Sequence, residues 1–181
     1  MYPTDSCYAL GCHVGDKAAM ERIRGLRDVD SRHHFGLLCR DLAEAATYAR
    51  IDNSRFRLIK AATPGAYTFI LQATREVPRR LLHPRRKTIG VRIPSHPVVR
   101  ALLAELAEPL LSSSLILPGD TGPLSDPEEV RARLERRVDA IIDSGPGGIV
   151  PTTVVDLTAD MPVITRQGKG IAGIFGELVG A

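Results

Sequence analysis

Apolar and polar residues alternate in short segments along the chain, and each such segment predicts a strand. Ile89, Val91 and Ile93 form one face of a strand, and Arg92 projects from the other face. Pro94 ends this strand. Six further strands are predicted at residues 6–11, 36–39, 67–71, 110–113, 152–157 and 162–165.

Apolar residues at helical spacing lie between these strands. Asp16 is a good N-cap for a helix that runs to about residue 24, and Asp41 is a good N-cap for a helix over 42–48. Two more helices are predicted at 53–61 and 98–106. A last helix begins within 125–129 and ends before residue 140; it carries Arg131, Arg133, Arg136 and Arg137. The pattern predicts an α/β or α+β fold, with helices on the faces of a sheet, and it does not fix the strand order.

The bulk composition fits one globular domain over residues 1–181, with a loosely held glycine-rich tail at 169–181. Net charge is only +3, so charge alone does not identify a nucleic-acid-binding protein. Cys7, Cys12 and Cys39 do not have metal-site spacing, and no metal site is expected. The odd cysteine count, with no secretion signal or membrane span, predicts a cytoplasmic protein.

A basic segment precedes the strand that carries Arg92. It contains Arg79, Arg80, Arg85, Arg86 and Lys87. Such a segment is either an ordinary solvated surface or, when the fold gathers it on a concave face, an anion-binding patch. Arg92 itself lies at the end of a strand and next to a helix N-terminus, and this arrangement suits a phosphate or a carboxylate.

Other polar residues have two interpretations each. The serines at 112–114 either form a strand-to-loop turn or donate hydroxyl hydrogen bonds to a phosphate. Asp5 is either a catalytic acid or an acceptor for backbone amides. Adjacent His33 and His34 point apart on an extended chain, which disfavours a shared metal, and no motif supports a Ser-His-Asp triad.

Four stretches of the chain resemble one known family, the YrdC/YciO domain family. YPTDSCYALG at 2–11 resembles its PTDTxYGLG opening, and TPGAYTFIL at 63–71 resembles PGPxTLIL. TIGVRIPSHP at 88–97 resembles TxxVRxPxHP. PTTVVDLT at 151–158, followed by PVITRQG at 162–168, resembles STVVDLT and RxG. LCRDL, VPRRLL and RKTIG look most like the YciO branch.

This resemblance implies a twisted mixed sheet with a concave basic face. It also implies that a helix and a strand normally precede the opening motif, so either the start of this chain is misassigned or the N-terminal helix and strand are missing. Synthase members of the family condense threonine, bicarbonate and ATP into threonylcarbamoyl-AMP for tRNA modification. The family is also associated with double-stranded RNA. ATP would be a substrate, accompanied by Mg²⁺, and no tightly bound cofactor is expected.

Site residues follow from the same resemblance. Nucleotide or threonine binding is assigned to Ser6, Tyr8, Arg92, Ser112, Thr153 and Arg166. Catalysis is assigned to Arg24 and Ser114, and RNA binding to Arg79, Arg80, Arg85, Arg86 and Lys87.

Two positions depart from the family signature. Leu26 stands where the KxR arginine is expected, with Arg27 one step beyond, and Ile116 replaces the asparagine of SxN. An apolar side chain cannot replace a hydrogen-bonding one. The first hypothesis is therefore a protein that binds nucleotide and RNA, and the alternative is an active synthase that uses Arg27.

Overall fold

Strands and helices alternate as the hydrophobic pattern predicts. The computed structural model describes residues 1–30 and 33–175. The strands are β1 (Tyr2–Pro3), β2 (Tyr8–His13), β3 (Gly36–Leu38), β4 (Tyr67–Gln72), β5 (Thr88–Arg92), β6 (Leu110–Ser114), β7 (Thr153–Asp156) and β8 (Val163–Arg166). The α-helices are α1 (Lys17–Arg27), α2 (Leu42–Tyr48), α3 (Asn53–Ala62), α4 (Pro97–Leu106) and α5 (Pro127–Leu134). Short 3₁₀ helices lie at Arg79–Leu81 and Ala172–Phe175.

Side-chain caps fix where the helices begin. The carboxylates of Asp16, Asp41 and Asp52 each accept a backbone N–H three residues on, at 2.8–2.9 Å. Each cap satisfies one of the amides that the first helical turn leaves unpaired. Helices α4 and α5 are capped by the side chains of His96 and Asp126, and each begins with a proline, Pro97 or Pro127, whose missing N–H costs nothing at that position.

The strands form one mixed sheet in the order β1-β2-β6-β3-β5-β4-β7-β8. The β3–β5 and β4–β7 pairs are parallel, and the other pairs are antiparallel. The predicted fold class, a mixed α/β sheet with flanking helices, is confirmed.

The two faces of this sheet differ in what covers them. One face carries Leu37, Val91 and Leu111, which belong to a large core cluster with residues of α1, α2, α3 and α5. We call this the covered face. A smaller cluster on the opposite face joins Leu38 and Leu110 to α4.

Beyond α4, the opposite face is lined by glycines and hydroxyl residues. The register places Gly36, Gly90 and Ser112 side by side on three adjacent strands. Thr68 lies against Gly90, since a Cβ on Gly90 would meet its methyl group at 3.3 Å. We call this surface the open face. Its small side chains leave room above the centre of the sheet.

Two predicted elements have different bounds in the structure. The strand predicted at 6–11 runs from Tyr8 to His13, because Thr4 closes a turn before it by donating to the Cys7 carbonyl at 2.6 Å. Helix α5 ends at Leu134, so Arg136 and Arg137 lie beyond it.

The tail predicted to be loosely held is described as far as residue 175. There the Phe175 ring is buried and meets the rings of Tyr67 and Phe69 edge-on, with centroids 5.7 and 5.9 Å away. The remainder of that tail, 176–181, lies outside the described residues. Within the described ranges, no helix has the length and apolar character needed to cross a membrane.

Candidate functional site

A cavity of about 710 Å³ lies over the open face. Its floor includes Gly36, Gly90, Thr68 and Ser112 from four neighbouring strands. We call it the main cavity. Around the floor it is lined by four arginines, Arg27, Arg86, Arg92 and Arg166, and by three histidines, His33, His34 and His83.

Arg92 is buried at the end of β5 and is held by Asp5. Its Nη2 donates to Asp5 Oδ1 at 2.7 Å and to Ser6 Oγ at 3.2 Å. Asp5 Oδ2 also accepts the backbone N–H of Ser95 at 3.0 Å. Of the two interpretations of Asp5, the structure therefore contains the backbone-amide contact, together with an ion pair that orients Arg92.

Arg92 Nε, which belongs to a residue lining the main cavity, is a buried donor with no hydrogen-bond partner among the described residues. Buried donors without partners are rare in folded proteins.

Arg166 reaches the main cavity from the edge strand β8. It donates only to Thr152, from Nε to the carbonyl at 3.0 Å and from Nη2 to Oγ1 at 3.1 Å. Burial lowers the pKa of Arg166, and the positive charge of Arg92 lowers it further. Among the described residues no carboxylate pairs with Arg166, so two guanidinium groups repel each other across the cavity.

Arg27, in the last turn of α1, also lines the main cavity, and its hydrogen-bond partners among the described residues are uncharged. Its Nη1 contacts Ser113 Oγ closely and His33 Nε2 at 2.8 Å, and its Nε donates to the Ile116 carbonyl at 3.2 Å. Burial, followed by the charge of Arg27, lowers the pKa of His33 to about 4. His33 is therefore neutral at pH 7, and its Nε2 can accept from Arg27.

Helix geometry separates Arg27 from its neighbours in the sequence. Leu26 is buried in the large core cluster. Arg24 lies one turn away, pairs with Glu21 at 2.6 Å and stacks over the Phe35 ring. Arg24 does not line the main cavity, whereas Arg27 does.

The other assigned residues fall into three groups. Ser112, Ser114, Arg92 and Arg166 meet at the main cavity, with Ser6 behind Arg92. Tyr8 and Thr153 do not line the cavity, and their hydroxyls donate to the carbonyls of Gly145 and Gly170 at 2.6 and 2.7 Å. Of the basic segment, only Arg86 reaches the main cavity, where it pairs with Asp156 at 2.9 Å.

A second cavity of about 420 Å³ adjoins the first and shares His33, His34, Phe35 and Leu81 with it. We call it the side cavity. Its other lining residues include four cations: Arg24, Arg79, Arg80 and Lys87. Arg80 donates only to backbone carbonyls, those of Val14 and Gly15. Arg85 is exposed and lines neither cavity.

The sequence interpretation left several cavity residues without a role, notably Thr68, Thr152, His34 and His83. Gly36 and Gly90 were the available signal, because glycine inside a strand marks a close approach of a ligand or another backbone. In the described part of the chain, no group of three or more His, Cys, Asp or Glu side chains is placed to hold a metal ion.

The fold and cavity define an α/β domain with a cavity lined by four arginines on one face of its sheet. The family model described as "Telomere recombination", for Sua5, YciO and YrdC proteins, matches residues 1–168. The chain therefore belongs to the Sua5/YciO/YrdC family, as its motifs predicted.

Comparison with individual relatives shows which branch of the family this chain resembles most. The uncharacterized protein YciO of Escherichia coli (strain K12) is 58% identical over 170 residues, which are 94% of this chain and 82% of that protein. The crystal structure of E. coli YciO superposes with a TM-score of 0.90 at 57% identity, covering 96% of this chain and 84% of that one. The predicted likeness to the YciO branch is confirmed.

Two enzymes of the family are more distant. A threonylcarbamoyl-AMP synthase of Stenotrophomonas maltophilia is 34% identical over 160 residues, covering 86% of this chain and 84% of that protein. The crystal structure of P. abyssi Sua5 complexed with L-threonine has a TM-score of 0.83 at 26% identity. It is matched over 92% of this chain but only 49% of its own.

Proposed function

We propose that the main cavity binds an adenine nucleotide through its phosphate groups, and that the basic segment beside it binds RNA. The observation that carries the nucleotide part is the pair of arginines, Arg27 and Arg166, whose partners among the described residues are all uncharged. A guanidinium group held this way is ready to form charge-assisted hydrogen bonds to phosphate oxygens.

The remaining lining residues support the same ligand. Arg92 Nε is a buried donor without a partner among the described residues, and Ser112 adds a hydroxyl to the floor of the cavity. A volume of about 710 Å³ is in the usual range for small-molecule sites, roughly 300–1,000 Å³. Mg²⁺ would enter with the nucleotide, held mainly by phosphates and water, as is usual for this ion.

Calorimetric titration of the protein with ATP and AMP tests the nucleotide proposal. We expect saturable one-to-one binding of both, tighter for ATP because it brings more negative charge to the arginines. The ligand is also expected to raise the melting temperature, since it binds only the folded state. Absence of saturable binding at millimolar ATP would overturn the proposal.

RNA binding is supported by the exposure of the basic segment and by the cations of the side cavity. Arg79, Arg80, Arg85 and Lys87 are all exposed. No carboxylate among the described residues forms an ion pair with any of them. Phosphate contacts made by such side chains release counterions and make affinity depend on salt.

Double-stranded RNA affinity measured against salt concentration tests this part. We expect the logarithm of the binding constant to fall linearly with the logarithm of salt. Arg79→Ala and Lys87→Ala are each expected to weaken binding at every sequence and to reduce the slope by about 1. Arg57→Ala, on exposed α3, is the matched control. A flat salt response of the wild-type protein would rule out RNA binding by this surface.

A second candidate function, threonylcarbamoyl-AMP synthesis, is favoured by the position of Arg27. Leu26 stands at the position where the KxR signature has its arginine. Arg27, the next residue, lines the main cavity with its guanidinium group, which can stabilise charge on the transferred phosphate. Ile116, which also lines the cavity, still lacks the amide of the signature.

Pyrophosphate release in the presence of ATP, threonine and bicarbonate tests the synthase candidate. If the candidate is right, release requires all three compounds and is lost in Arg27→Ala. Release no faster than that of an Arg92→Ala variant would exclude it.

A further inference from the structure

Two imidazole rings stack at the rim of the main cavity. The rings of His34 and His83 have centroids 5.0 Å apart and planes inclined by 27°. His34 lies in the loop before β3 and His83 in the loop before β5, so they come from chain segments far apart in the sequence. Both rings line the main cavity, and His34 also lines the side cavity.

The loop around His83 holds its ring in place. Its Nδ1 accepts the backbone N–H groups of Arg85 and Arg86, at 3.3 and 3.1 Å. The backbone of His83 is also hydrogen-bonded. Its N–H donates to the Thr88 carbonyl at 3.0 Å, and its carbonyl accepts the Lys87 N–H at 2.9 Å. Two hydrogen bonds to the ring and two to the backbone of the same residue hold His83 in one position, so its ring provides a rigid backing for whatever lies against it.

His34 differs from His83 in being exposed and in lacking ring hydrogen bonds to the described residues. Burial against the protein, together with the nearby His83 and Arg86, lowers the pKa of His34, so the ring is neutral at pH 7. One of its faces is covered by His83. The rest of this neutral aromatic side chain remains open at the rim.

A metal site and a simple structural role explain these features less well. Among the described residues, these two histidines belong to no group of three or more His, Cys, Asp or Glu side chains that could hold a metal ion. A purely structural ring pair would be expected in a core, whereas this pair lies at the boundary between two cavities. The His34 ring is open to the cavity, neutral and held from behind by His83. Such an aromatic ring provides a surface on which another planar group can stack.

We infer that His34, backed by His83, stacks against the base of a bound nucleotide whose phosphates contact Arg27 and Arg166. This inference rests on the proposed nucleotide binding and adds a location for the base. Because stacking uses the π-face that every base has, it supplies affinity for the base without reading its identity.

The test compares two ligands that share a phosphate and differ in the base: AMP and ribose 5-phosphate. Stacking on an aromatic side chain is worth roughly a 5- to 150-fold gain in affinity per base. We expect the wild-type protein to prefer AMP by a factor in this range. His34→Ala should lose most of that preference while its affinity for ribose 5-phosphate stays the same.

Two further variants separate stacking from other roles of the side chain. His34→Phe keeps an aromatic face and should retain the preference for AMP. His13→Ala, at an exposed histidine that contacts Glu108, is the control and should match the wild type.

The possible outcomes are distinct. An unchanged preference in His34→Ala, or an equal loss of affinity for both ligands, overturns the inference and leaves nucleotide binding intact. Failure of the wild-type protein to bind either ligand overturns the proposed function itself.

Discussion

Replacing Asp5 with alanine is expected to lower the free energy of unfolding by about 3–5 kcal/mol, because it leaves the Arg92 charge buried without its partner. The two side chains are only 7% and 8% exposed, and their closest N–O distance is 2.7 Å. The substitution also removes the acceptor of the Ser95 backbone N–H. The Ser95 hydroxyl donates to the same carboxylate at 3.3 Å, and loss of a buried carboxylate that serves three donors is among the most costly single changes in a protein.

Urea denaturation of the variant and the wild type measures this effect. Asp139→Ala is the matched control, because Asp139 is 91% exposed and its ion pair with Arg22 should contribute at most about 1 kcal/mol. Inorganic phosphate is expected to recover part of the Asp5→Ala loss, since Arg92 lines the main cavity. If the two variants lose the same stability, the buried pair does not have the role given to it here.

Replacing Arg166 with alanine is expected to weaken ATP binding by about 10- to 100-fold with little effect on folding. Hydrogen bonds to charged groups contribute roughly 1.5–3 kcal/mol, and 1.4 kcal/mol is a factor of ten in affinity. Among the described residues Arg166 bonds only to Thr152, and burial, followed by the nearby charge of Arg92, lowers its pKa. Removing the Arg166 side chain therefore relieves repulsion between the two guanidinium groups and breaks only two hydrogen bonds to described residues.

Calorimetry with ATP measures the change in affinity, and urea denaturation measures the stability of the same variant. Arg166→Lys keeps the charge but not the planar fork of donors, so we expect an intermediate affinity. Arg57→Ala changes the net charge equally at an exposed position on α3 and controls for long-range electrostatics. If Arg166→Ala and Arg57→Ala bind ATP with equal affinity, Arg166 does not contact the phosphates.

Most of the fold could be predicted from local signals. Aspartate caps and prolines define where helices begin, and α2 has the predicted bounds of 42–48. The start of β2 could not be predicted, because Thr4 uses its hydroxyl to hold the residues before Tyr8 in a turn. Local side-chain bonds of this kind compete with strand pairing and leave no periodic signal.

The site was predicted only in part, for a geometric reason. Motif resemblance named Arg92, Ser112, Ser114 and Arg166, and these residues do line one cavity. It also named Tyr8, which lies in the large core cluster with the covered-face residues. Neighbouring positions in a strand point to opposite faces, so proximity to a motif does not identify the residues that reach the ligand.

The helical register of α1 is the other part that required the structure. From the sequence alone, Arg24, Leu26 and Arg27 are all candidates for the two charged positions of the KxR signature. Each residue turns about 100° around a helix, so these three side chains leave it in different directions. The structure directs Leu26 to the core and Arg27 to the main cavity.

The strand order has a consequence for how the protein folds. Strand β6 inserts between β2 and β3, and β7 and β8 attach beyond β4. The residues that line the main cavity therefore extend along the sequence from Arg27 to Arg166. The ribosome must synthesise the chain past residue 166 before all four arginines of the cavity are present. Pairings between such distant segments close slowly because large loops must form first. Acquisition of ligand binding should thus be among the last events of folding, and it offers a direct kinetic probe of the final docking of β8.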